Sequence, residues 1–413
     1  MSTDESLGQP ERAESIETDH PSTQQHPSSD LLLDADSDQQ PVLSVVMPTL
    51  NEQEGIGECI LRVQRAVMEL GLPTEVIISD SSTDRTPEIA REMGAIVVEP
   101  DKPGYGYAYR YGFEHVRGKY IVMGDADTTY DFEQIPRLLD PILEDRADIV
   151  MGSRLDGEIK PGAMPMLHKY IGNPLLTKFL NTFYDAGVSD AHSGFRVFTR
   201  DALDRMDLES DGMEFASEMV MDAGARGLRI EEVPIVYHER EGEETLDSFR
   251  DGWRHVRFML LNAPGYLFSV PGIAFGLIGL LFTGLSIFDI SIAGASFGVR
   301  TMIAGSLLML VGFQVASFGL FSTVASDPIR QQSDPLTSMI INRVTLERGA
   351  AAGLTLIGIG VGYTALRLSR WLTHGYTSLS SFGPDVLGLT VVVLGIQFFF
   401  MTFFLSAIAN SNN

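Results

Sequence analysis

Two carboxylates separated by one residue, Asp125 and Asp127, follow the apolar run KYIVM in the segment GDADTTYD. Carboxylate oxygens are ligands that Mg²⁺ and Mn²⁺ take, usually with substrate phosphate oxygens completing the shell. A surface turn would contain the same residue types. The spacing therefore supports two hypotheses, a turn or a divalent-metal site, and the surrounding elements must distinguish them.

Five short apolar runs, rich in β-branched residues, alternate with helical patterns along the first part of the chain. In chain order they are PVLSVVMPTL, TEVIISD, AIVVEP, KYIVMGDAD and ADIVMGSR. Alternating strands and helices predict an α/β fold with a mostly parallel sheet and helices on both faces. Ligands of such sheets bind at the carboxyl ends of the strands.

Several residues lie just past the end of a predicted strand: Pro48, Asp80, Asp125, Asp127 and Arg154. Because the carboxyl ends of parallel strands meet at one edge, we expect these residues to converge. A lone carboxylate after a strand is usually a turn or cap residue, and we interpret Asp84 and Asp131 in this way. The convergence favours a metal site at Asp125 and Asp127.

No other catalytic motif gives a candidate site comparable to this edge of the sheet. The segment GYGYAYRYG contains G-x-G, but it does not close a strand-to-helix dinucleotide turn. The sequence has no C-x-x-C, H-E-x-x-H or P-loop motif. Its single cysteine, Cys59, falls in a helical pattern and is expected to be a small buried residue.

The formal net charge is −25, and the cations are 25 Arg and 5 Lys. This balance argues against nucleic acid as a partner. An acidic, Lys-poor surface suits a high-salt cytoplasm, where a strong field is screened. The composition therefore fits a halophilic prokaryote or an ordinary acidic protein.

Composition divides the chain into four regions. Residues 1–41 are polar and acidic and predict a disordered tail. We expect a globular α/β domain over 42–243, an amphipathic helix over 244–263 and a membrane region over 264–413. Each of four apolar stretches in the last region is long enough to cross a bilayer as a helix. They lie near 265–288, 301–325, 350–372 and 386–409.

The segment LDSFRDGWRHVRFMLL joins the globular and membrane regions. Its apolar residues recur at helical spacing: Leu246, Phe249, Trp253, Val256 and Leu260. Arg250, Arg254 and Arg257 lie beside them. This pattern predicts a basic amphipathic helix in the headgroup plane, with an ordinary core helix as the alternative.

Charge asymmetry predicts a multi-pass cell-membrane protein with a cytoplasmic globular domain. The loop between the second and third apolar stretches would then be cytoplasmic, and it carries Arg330, Arg343 and Arg348. The first outer loop carries only Arg300. Arg367 and Arg370 near the outer end of the third stretch oppose this orientation and would have to snorkel.

Seven segments in order resemble the inverting family 2 glycosyltransferases with the GT-A fold, and among them the dolichyl- and polyprenyl-phosphate hexose synthases. They are SVVMPTLNEQEGI, VIISDSSTDRT, KPGYGYAYRYGF, YIVMGDAD, GSR, DAHSGFRVF and YHEREGEETL. The resemblance spans residues 42 to 262. It implies a UDP- or GDP-hexose donor, a dolichyl or polyprenyl phosphate acceptor, and Mg²⁺ or Mn²⁺.

The resemblance also assigns residues. The donor nucleotide sugar would contact Pro48, Thr49, Glu52, Asp80, Gly104 and Asp125. Asp125 and Asp127 would hold the metal on its diphosphate. Three departures from the family pattern stand out: Ser81 and Ser82 replace Asp-Gly, Thr129 replaces Gln, and Glu244 with Thr245 replaces Ser-Lys.

A polyprenyl phosphate has a second pKa of about 6, so it is already anionic at neutral pH and needs no strong general base. The enzyme must instead align two anions, the acceptor phosphate and the donor diphosphate. Arg154, Lys169, Arg196 and Arg240 are candidates for binding the acceptor phosphate, and with Asp127 the three arginines are the predicted catalytic residues.

Several polar residues near these cations have more than one possible role. His192 could orient the sugar or phosphate or be structural, and Asp190 is expected to position its loop. Glu214 and Glu218 lie four apart on one helical face, so one could face the sugar hydroxyls.

The leading hypothesis is a metal-dependent inverting transferase that moves a hexose from a nucleotide sugar to a polyprenyl phosphate at the cytosolic membrane face. A processive polysaccharide synthase is the second, although RLSRW at 367–371 lacks the Gln of the Q-x-x-R-W motif. A non-catalytic, lipid-handling membrane protein is the third. The sequence leaves a homo-oligomer open.

Overall fold

The computed structural model describes residues 31–184, 186–240, 248–263, 265–292, 295–325, 346–373 and 383–411. Most of the predicted tail, residues 1–30, lies outside this part of the chain. Residues 31–33 pack on the domain, because Leu33 donates its N–H to the Thr74 carbonyl (2.8 Å) and is itself buried. Residues 31–33, which the sequence places in the tail, therefore contact the globular domain.

Seven strands form one sheet in the order β3-β2-β1-β4-β6-β5-β7. They are β1 (Leu43–Thr49), β2 (Thr74–Asp80), β3 (Ile96–Val98), β4 (Tyr120–Met123), β5 (Ile149–Ile159), β6 (Arg196–Thr199) and β7 (Ile230–Tyr237). Neighbouring strands are parallel except β6, which is antiparallel to both β4 and β5. The predicted mostly parallel α/β class is confirmed, and the five predicted strands are β1 to β5.

Helices cover both faces of the sheet. They are α1 (Ile56–Leu70), α2 (Thr86–Glu92), α3 (Tyr105–Phe113), α4 (Ile135–Leu143), α5 (Asn173–Tyr184), α6 (Arg200–Arg205), α7 (Phe215–Ala225) and α8 (Ser248–Asn262). Because strand side chains alternate, Val45 packs with α1 and α4, while Val46 packs with α3, α5 and α7. Cys59 is fully buried in the first of these clusters, as predicted.

Four long apolar helices follow: α9 (Val270–Ile287), α10 (Val299–Ala325), α11 (Leu346–Thr373) and α12 (Gly383–Ser411). A short hairpin of β8 (Ser291–Ile292) and β9 (Ala295–Ser296) precedes α10. By length and composition each helix could cross a membrane, which agrees with the four predicted spans. Glycines let the backbones approach closely, and a Cβ on Gly272 would lie 2.4 Å from Ala316 N.

The arginines of the membrane region are only partly described, since Arg330 and Arg343 lie outside the described residues. Arg367 forms an ion pair with Asp385 on α12, with 2.9 Å between Nε and Oδ1. A paired charge at the end of a membrane helix costs less than an isolated one. The pair would lower the cost of placing the Arg367 charge near a membrane.

Candidate active site

The ends of β1, β2 and β4 meet at one edge of the sheet. Thr49 and Asp80 are paired in register, and the Thr49 hydroxyl donates to Asp80 Oδ1 at 2.7 Å. Val46 of β1 pairs with Met123, so Asp125 begins just beyond the end of β4. The structure thus brings these strand-end residues together, as the sequence predicts.

Backbone-to-side-chain hydrogen bonds join the loops after β1 and β2. The N–H of Asn51 donates to Ser82 Oγ (2.7 Å), and the N–H of Thr83 donates to Asn51 Oδ1 (2.9 Å). Asp84 accepts from the N–H of Thr86 (2.9 Å) at the start of α2, which agrees with its interpretation as a turn or cap residue. Ser82, one of the departures from the family pattern, therefore fixes the relative position of the two loops.

Two tyrosines of α3 hold Asp125. The hydroxyls of Tyr105 and Tyr109 donate to its Oδ1 at 2.9 and 3.0 Å. Residues four apart lie on one face of a helix, so both hydroxyls reach the same oxygen. Sequence reasoning missed this contact, although the spacing of tyrosines in GYGYAYRYG was its visible signal.

Asp127 is held from within its own loop. Its Oδ1 accepts from the Thr129 N–H (3.2 Å) and from the Thr129 hydroxyl. Thr129 therefore orients the carboxylate beside it. Asp131 accepts from the N–H of Glu133 (3.1 Å) and caps the short helical turn Phe132–Gln134, as predicted.

Arg240 brings a positive charge to this edge. Its Nη2 lies 2.6 Å from Glu52 Oε1, and its Nη1 lies 3.6 Å from Asp127 Oδ2. The segment after β7 reaches the site because the N–H of His238 donates to the Thr129 carbonyl at 2.9 Å. One guanidinium thus contacts two carboxylates, Glu52, a predicted donor contact, and Asp127, a predicted metal ligand.

The local field disfavours the crowded negative charges. Burial raises the pKa of Glu52 to about 7, although the charge of Arg240 lowers it. Burial and the neighbouring Asp127 carboxylate raise the pKa of Asp125 above its usual range. A cation placed between the two aspartates would stabilise their charged forms and so offset the effect of burial and repulsion.

Arg154 forms a buried ion pair with Asp190. Its Nε and Nη2 donate to the two carboxylate oxygens at 2.8 and 2.9 Å, and both residues are buried. The guanidinium also lies 5.3 Å from the ring centre of Tyr237. Glu232, which sequence reasoning missed, accepts from the N–H of Asp190 at 3.0 Å. Asp190 therefore positions its loop, as expected.

Arg196 is fully buried at the start of β6. Its Nε donates to the carbonyl of Ser193 (2.9 Å), and its Nη2 donates to those of Ala191 (3.0 Å) and Ala216 (2.9 Å). Arg154 and Arg196 thus both support the loop between α5 and β6. Their assignment to an acceptor phosphate stays a prediction.

Lys169 lies apart from these arginines, in the helical turn His168–Gly172 before α5. Its ammonium lies 5.7 Å from the ring centre of Tyr170. Within the described residues, no hydrogen bond or ion pair joins Lys169 to the strand-end carboxylates. Its assignment to the acceptor phosphate also stays a prediction.

His192 is linked to α8 through one hydroxyl. Ser217 Oγ lies 3.1 Å from His192 Nε2 and 2.9 Å from His255 Nδ1, and the two rings meet edge to face with centres 4.8 Å apart. Burial and the nearby His255 lower the pKa of His192. These contacts favour the structural interpretation of His192, and they couple its loop to the helix that leads into the membrane region.

Glu218 and Gly104 fix one further loop. The Glu218 carboxylate accepts from the N–H groups of Glu209 (2.9 Å) and Ser210 (3.0 Å), so it holds that backbone. Gly104 precedes α3 at φ 143°, where an added Cβ would lie 2.4 Å from the Asp211 carbonyl oxygen. Only glycine fits there without displacing α3 and the tyrosines that hold Asp125.

We expect Gly104→Ala to destabilise the chain by about 2 kcal/mol, because it adds backbone strain and a clash with a backbone oxygen. Thermal unfolding of the purified chain, followed by circular dichroism, measures the effect. Gly252→Ala is the matched control, since a Cβ there meets nothing within 4 Å and alanine favours the helix. Equal stability of the two variants would contradict the close approach at Gly104.

Comparisons with known proteins agree with this geometry. The family model described as Glycosyl transferase family 2 matches residues 44–207, and the Glycosyltransferase family 2 C-terminal transmembrane region matches residues 323–409. The low-salt glycan biosynthesis hexosyltransferase Agl6 of Haloferax volcanii is 57% identical over 383 residues, which are 93% of this chain and 93% of that protein.

Two further relatives cover the catalytic half. A dolichyl-phosphate hexose transferase of Haloferax volcanii is 37% identical over 213 residues, 51% of this chain and 89% of that protein. A solved glucosyl-3-phosphoglycerate synthase from Mycobacterium tuberculosis, in complex with Mn²⁺, uridine diphosphate and glucosyl-3-phosphoglycerate, is 25% identical. It covers 54% of this chain and 79% of its own, with a TM-score of 0.44, which is too low to transfer its ligands.

The matched family 2 segment begins in β1 and contains Asp80, Asp125 and Asp127, the residues that the strand ends bring together. The second match covers all of α11 and most of α12. The similarity to Agl6 extends over nearly the whole chain, so the catalytic and membrane parts occur together in that relative. This chain therefore belongs to glycosyltransferase family 2, and it is a membrane glycosyltransferase.

Proposed function

We propose that the chain transfers a hexose, with inversion, from a nucleotide diphosphate sugar to a polyprenyl or dolichyl phosphate. The observation that carries the proposal is the pairing of Asp125 and Asp127 at the strand ends, beside Arg240, in a chain with four membrane helices. The hexosyltransferase and the dolichyl-phosphate hexose transferase among its relatives support the donor and acceptor classes.

The donor set of the site fits a divalent cation. Asp125 and Asp127 offer hard oxygen ligands, and their mutual repulsion favours a positive ion between them. Among the described residues, no three metal-ligating side chains form a group that could hold an ion alone. Mg²⁺ and Mn²⁺ at phosphate sites usually take their remaining ligands from substrate and water.

The chemistry that we infer is a single displacement. An oxygen of the acceptor phosphate attacks the anomeric carbon while the bond from that carbon to the diphosphate breaks, which inverts the configuration. A divalent cation held by Asp125 and Asp127 would neutralise charge on the leaving diphosphate. No protein base is needed, because the phosphate is ionised near neutral pH. Arg240 is best placed to attract the acceptor phosphate, while Arg154 and Arg196 hold the loop.

We further propose that the catalytic domain lies on the cytosolic face, where nucleotide sugars are made. In this arrangement residues 42–243 form the GT-A domain, 244–263 the interfacial segment and 264–413 the membrane anchor. Arg348, at the start of α11, agrees with the cytosolic orientation of that helix end.

Product identification tests this function. Membranes containing the chain receive polyprenyl phosphate and one labelled UDP- or GDP-hexose at a time. We expect one donor to place label in a solvent-extractable glycolipid with a single hexose, and membranes with empty vector to give none. Label found only in long polymer would instead support a processive polysaccharide synthase, and release of free hexose alone would contradict transfer to lipid.

The tyrosines of α3 give a second test. We expect the double change Tyr105→Phe and Tyr109→Phe to weaken the apparent affinity for Mn²⁺ about 10- to 100-fold, as losses of hydrogen bonds to metal ligands do. Titration of Mn²⁺ binding by electron paramagnetic resonance, with uridine or guanosine diphosphate present, measures it. Tyr107→Phe is the control, because Tyr107 bonds to Asp101. An unchanged affinity in the double variant would contradict the role of these hydroxyls.

A further inference from the structure

One side of α10 presents a glutamine among apolar side chains. Five exposed residues follow one another at alternating spacings of three and four, so they share that side of the helix. We call them the glutamine face of α10: Ala304, Leu307, Val311, Gln314 and Phe318.

Neighbouring helices occupy the other sides of α10. A Cβ on Gly312 would lie 2.4 Å from the backbone nitrogen of Gly276, so α9 packs closely there. Towards α12, the rings of Phe313 and Phe398 have centres 5.9 Å apart. The glutamine face therefore points out of the bundle formed by α9, α10 and α12.

Gln314 lies well inside its apolar span. The span Val299–Ser322 begins fifteen residues before it and ends eight residues after it, which are about 22 and 12 Å along a helix. Because the hydrocarbon core of a bilayer is about 30 Å thick, the amide lies within that core. Gln is also shorter than the Lys and Arg side chains that reach the headgroups. An amide without a hydrogen-bond partner is costly in hydrocarbon.

Other polar side chains of the membrane helices bond within their own helix. Five hydroxyls donate to the carbonyl oxygen four residues earlier, at 2.7 to 2.8 Å: Ser317, Thr355, Thr364, Thr390 and Thr402. Gln314 is exposed, and no hydrogen bond joins it to any residue in the described part of the chain. Its amide therefore requires a partner from outside the chain.

We propose that the glutamine face of α10 is a self-association surface, on which two copies of the chain form a parallel dimer in the membrane. The two Gln314 side chains hydrogen-bond to each other. An amide carries both donors and an acceptor, so two identical amides satisfy each other across a two-fold axis. A second copy crosses the bilayer in the same direction, which places its Gln314 at the same depth.

A second copy fits this face better than lipid does. Lipid tails offer no hydrogen-bond partner, whereas polar side chains that bond between helices stabilise association in membranes. Residues 301–325 contain no charged residue, so no charge within this part of α10 repels its own copy. Alternating spacings of three and four also form the seam of a coiled coil, in which one polar residue fixes the register.

Disulfide cross-linking tests the surface. The full chain carries Cys59→Ala, which removes its single native cysteine, together with Val311→Cys. It is placed in vesicles with a large excess of lipid and treated with a membrane-permeant oxidant. We expect a covalent dimer, because a contact at the neighbouring Gln314 brings the two Cβ atoms at position 311 within reach of a disulfide. Ile359→Cys is the control, since Ile359 lies in the middle of α11 and is also exposed.

A second measurement tests the amide itself. Energy transfer between copies labelled at the N-terminus is followed as the protein-to-lipid ratio is varied. Gln314→Leu, which keeps the span apolar, should need an about 3- to 30-fold higher ratio for half-maximal association, the range expected for a lost hydrogen bond between membrane helices. Gln397→Leu is the matched control and should associate as the wild type does, because the Gln397 side-chain oxygen is buried within the chain.

Two results would overturn the proposal. Equal cross-linking at positions 311 and 359 would show random collision rather than a specific contact. Association of Gln314→Leu at the wild-type ratio would show that the amide does not hold two copies together. Both readouts measure association and not sugar transfer, so neither depends on the proposed reaction.

Discussion

Replacing Asp127 by Ala is expected to reduce hexose transfer by about 100- to 1000-fold, which corresponds to a loss of about 3–4 kcal/mol of transition-state stabilisation. The carboxylate is held by Thr129 and faces Arg240, and in the proposed reaction it binds the cation on the leaving diphosphate. Initial rates of labelled glycolipid formation by purified protein measure the effect.

Two further variants distinguish the effect of losing the negative charge from the effect of losing structure. Asp127→Asn keeps the hydrogen bonds from Thr129 but removes the negative charge, so it should lose nearly as much activity as the alanine variant. Asp131→Ala removes a cap four residues away and should cost stability of about 1 kcal/mol with transfer largely retained. Wild-type transfer by Asp127→Asn would refute the need for a carboxylate at this position.

Replacing Asp190 by Ala is expected to destabilise the catalytic domain by about 3–5 kcal/mol, because it leaves the Arg154 guanidinium buried and unpaired. Arg154 is 7% exposed and Asp190 is fully buried, so water cannot replace the lost partner easily. Urea unfolding of the purified chain, followed by circular dichroism, measures the change. The exposed pair of Arg146 and Glu144 is the control, and Glu144→Ala should leave the unfolding midpoint unchanged.

A double variant tests the cause of this loss. Arg154→Met combined with Asp190→Leu removes both charges and should be more stable than Asp190→Ala alone, because no unpaired charge remains buried. A double variant that is less stable than Asp190→Ala would show that the loss of stability comes from packing around the loop. Its transfer rate should nevertheless fall, since the loop loses its ion pair.

Local patterns were enough to predict the strands and the carboxylates at their ends. Periodicity identified β1 to β5, and the rule that ligands bind at strand ends brought Asp80, Asp125 and Asp127 together before any contact was known. The same reasoning missed β6 and β7. Strand β6 is only four residues long and runs antiparallel, and β7 lies at the sheet edge with a proline inside it.

The partners of the charged residues could not be predicted, because each pairing depends on the path of a loop. Arg240 and Glu52 are 188 residues apart in sequence, and Arg154 and Asp190 are separated by 36. From the sequence, Arg154, Arg196 and Arg240 were all candidates for binding the acceptor phosphate. Burial distinguishes them, since Arg196 is fully buried while the Arg240 side chain is 24% exposed at the site.

In the proposed reaction, transfer depends on a divalent cation held by Asp125 and Asp127. The most direct measurement is glycolipid formation by purified chain in nanodiscs after removal of metal with a chelator, followed by addition of Mg²⁺ or Mn²⁺. We expect background transfer without metal, recovery when either ion is added back, and no recovery in Asp127→Ala. Full transfer by the wild-type chain with the chelator still present would contradict it.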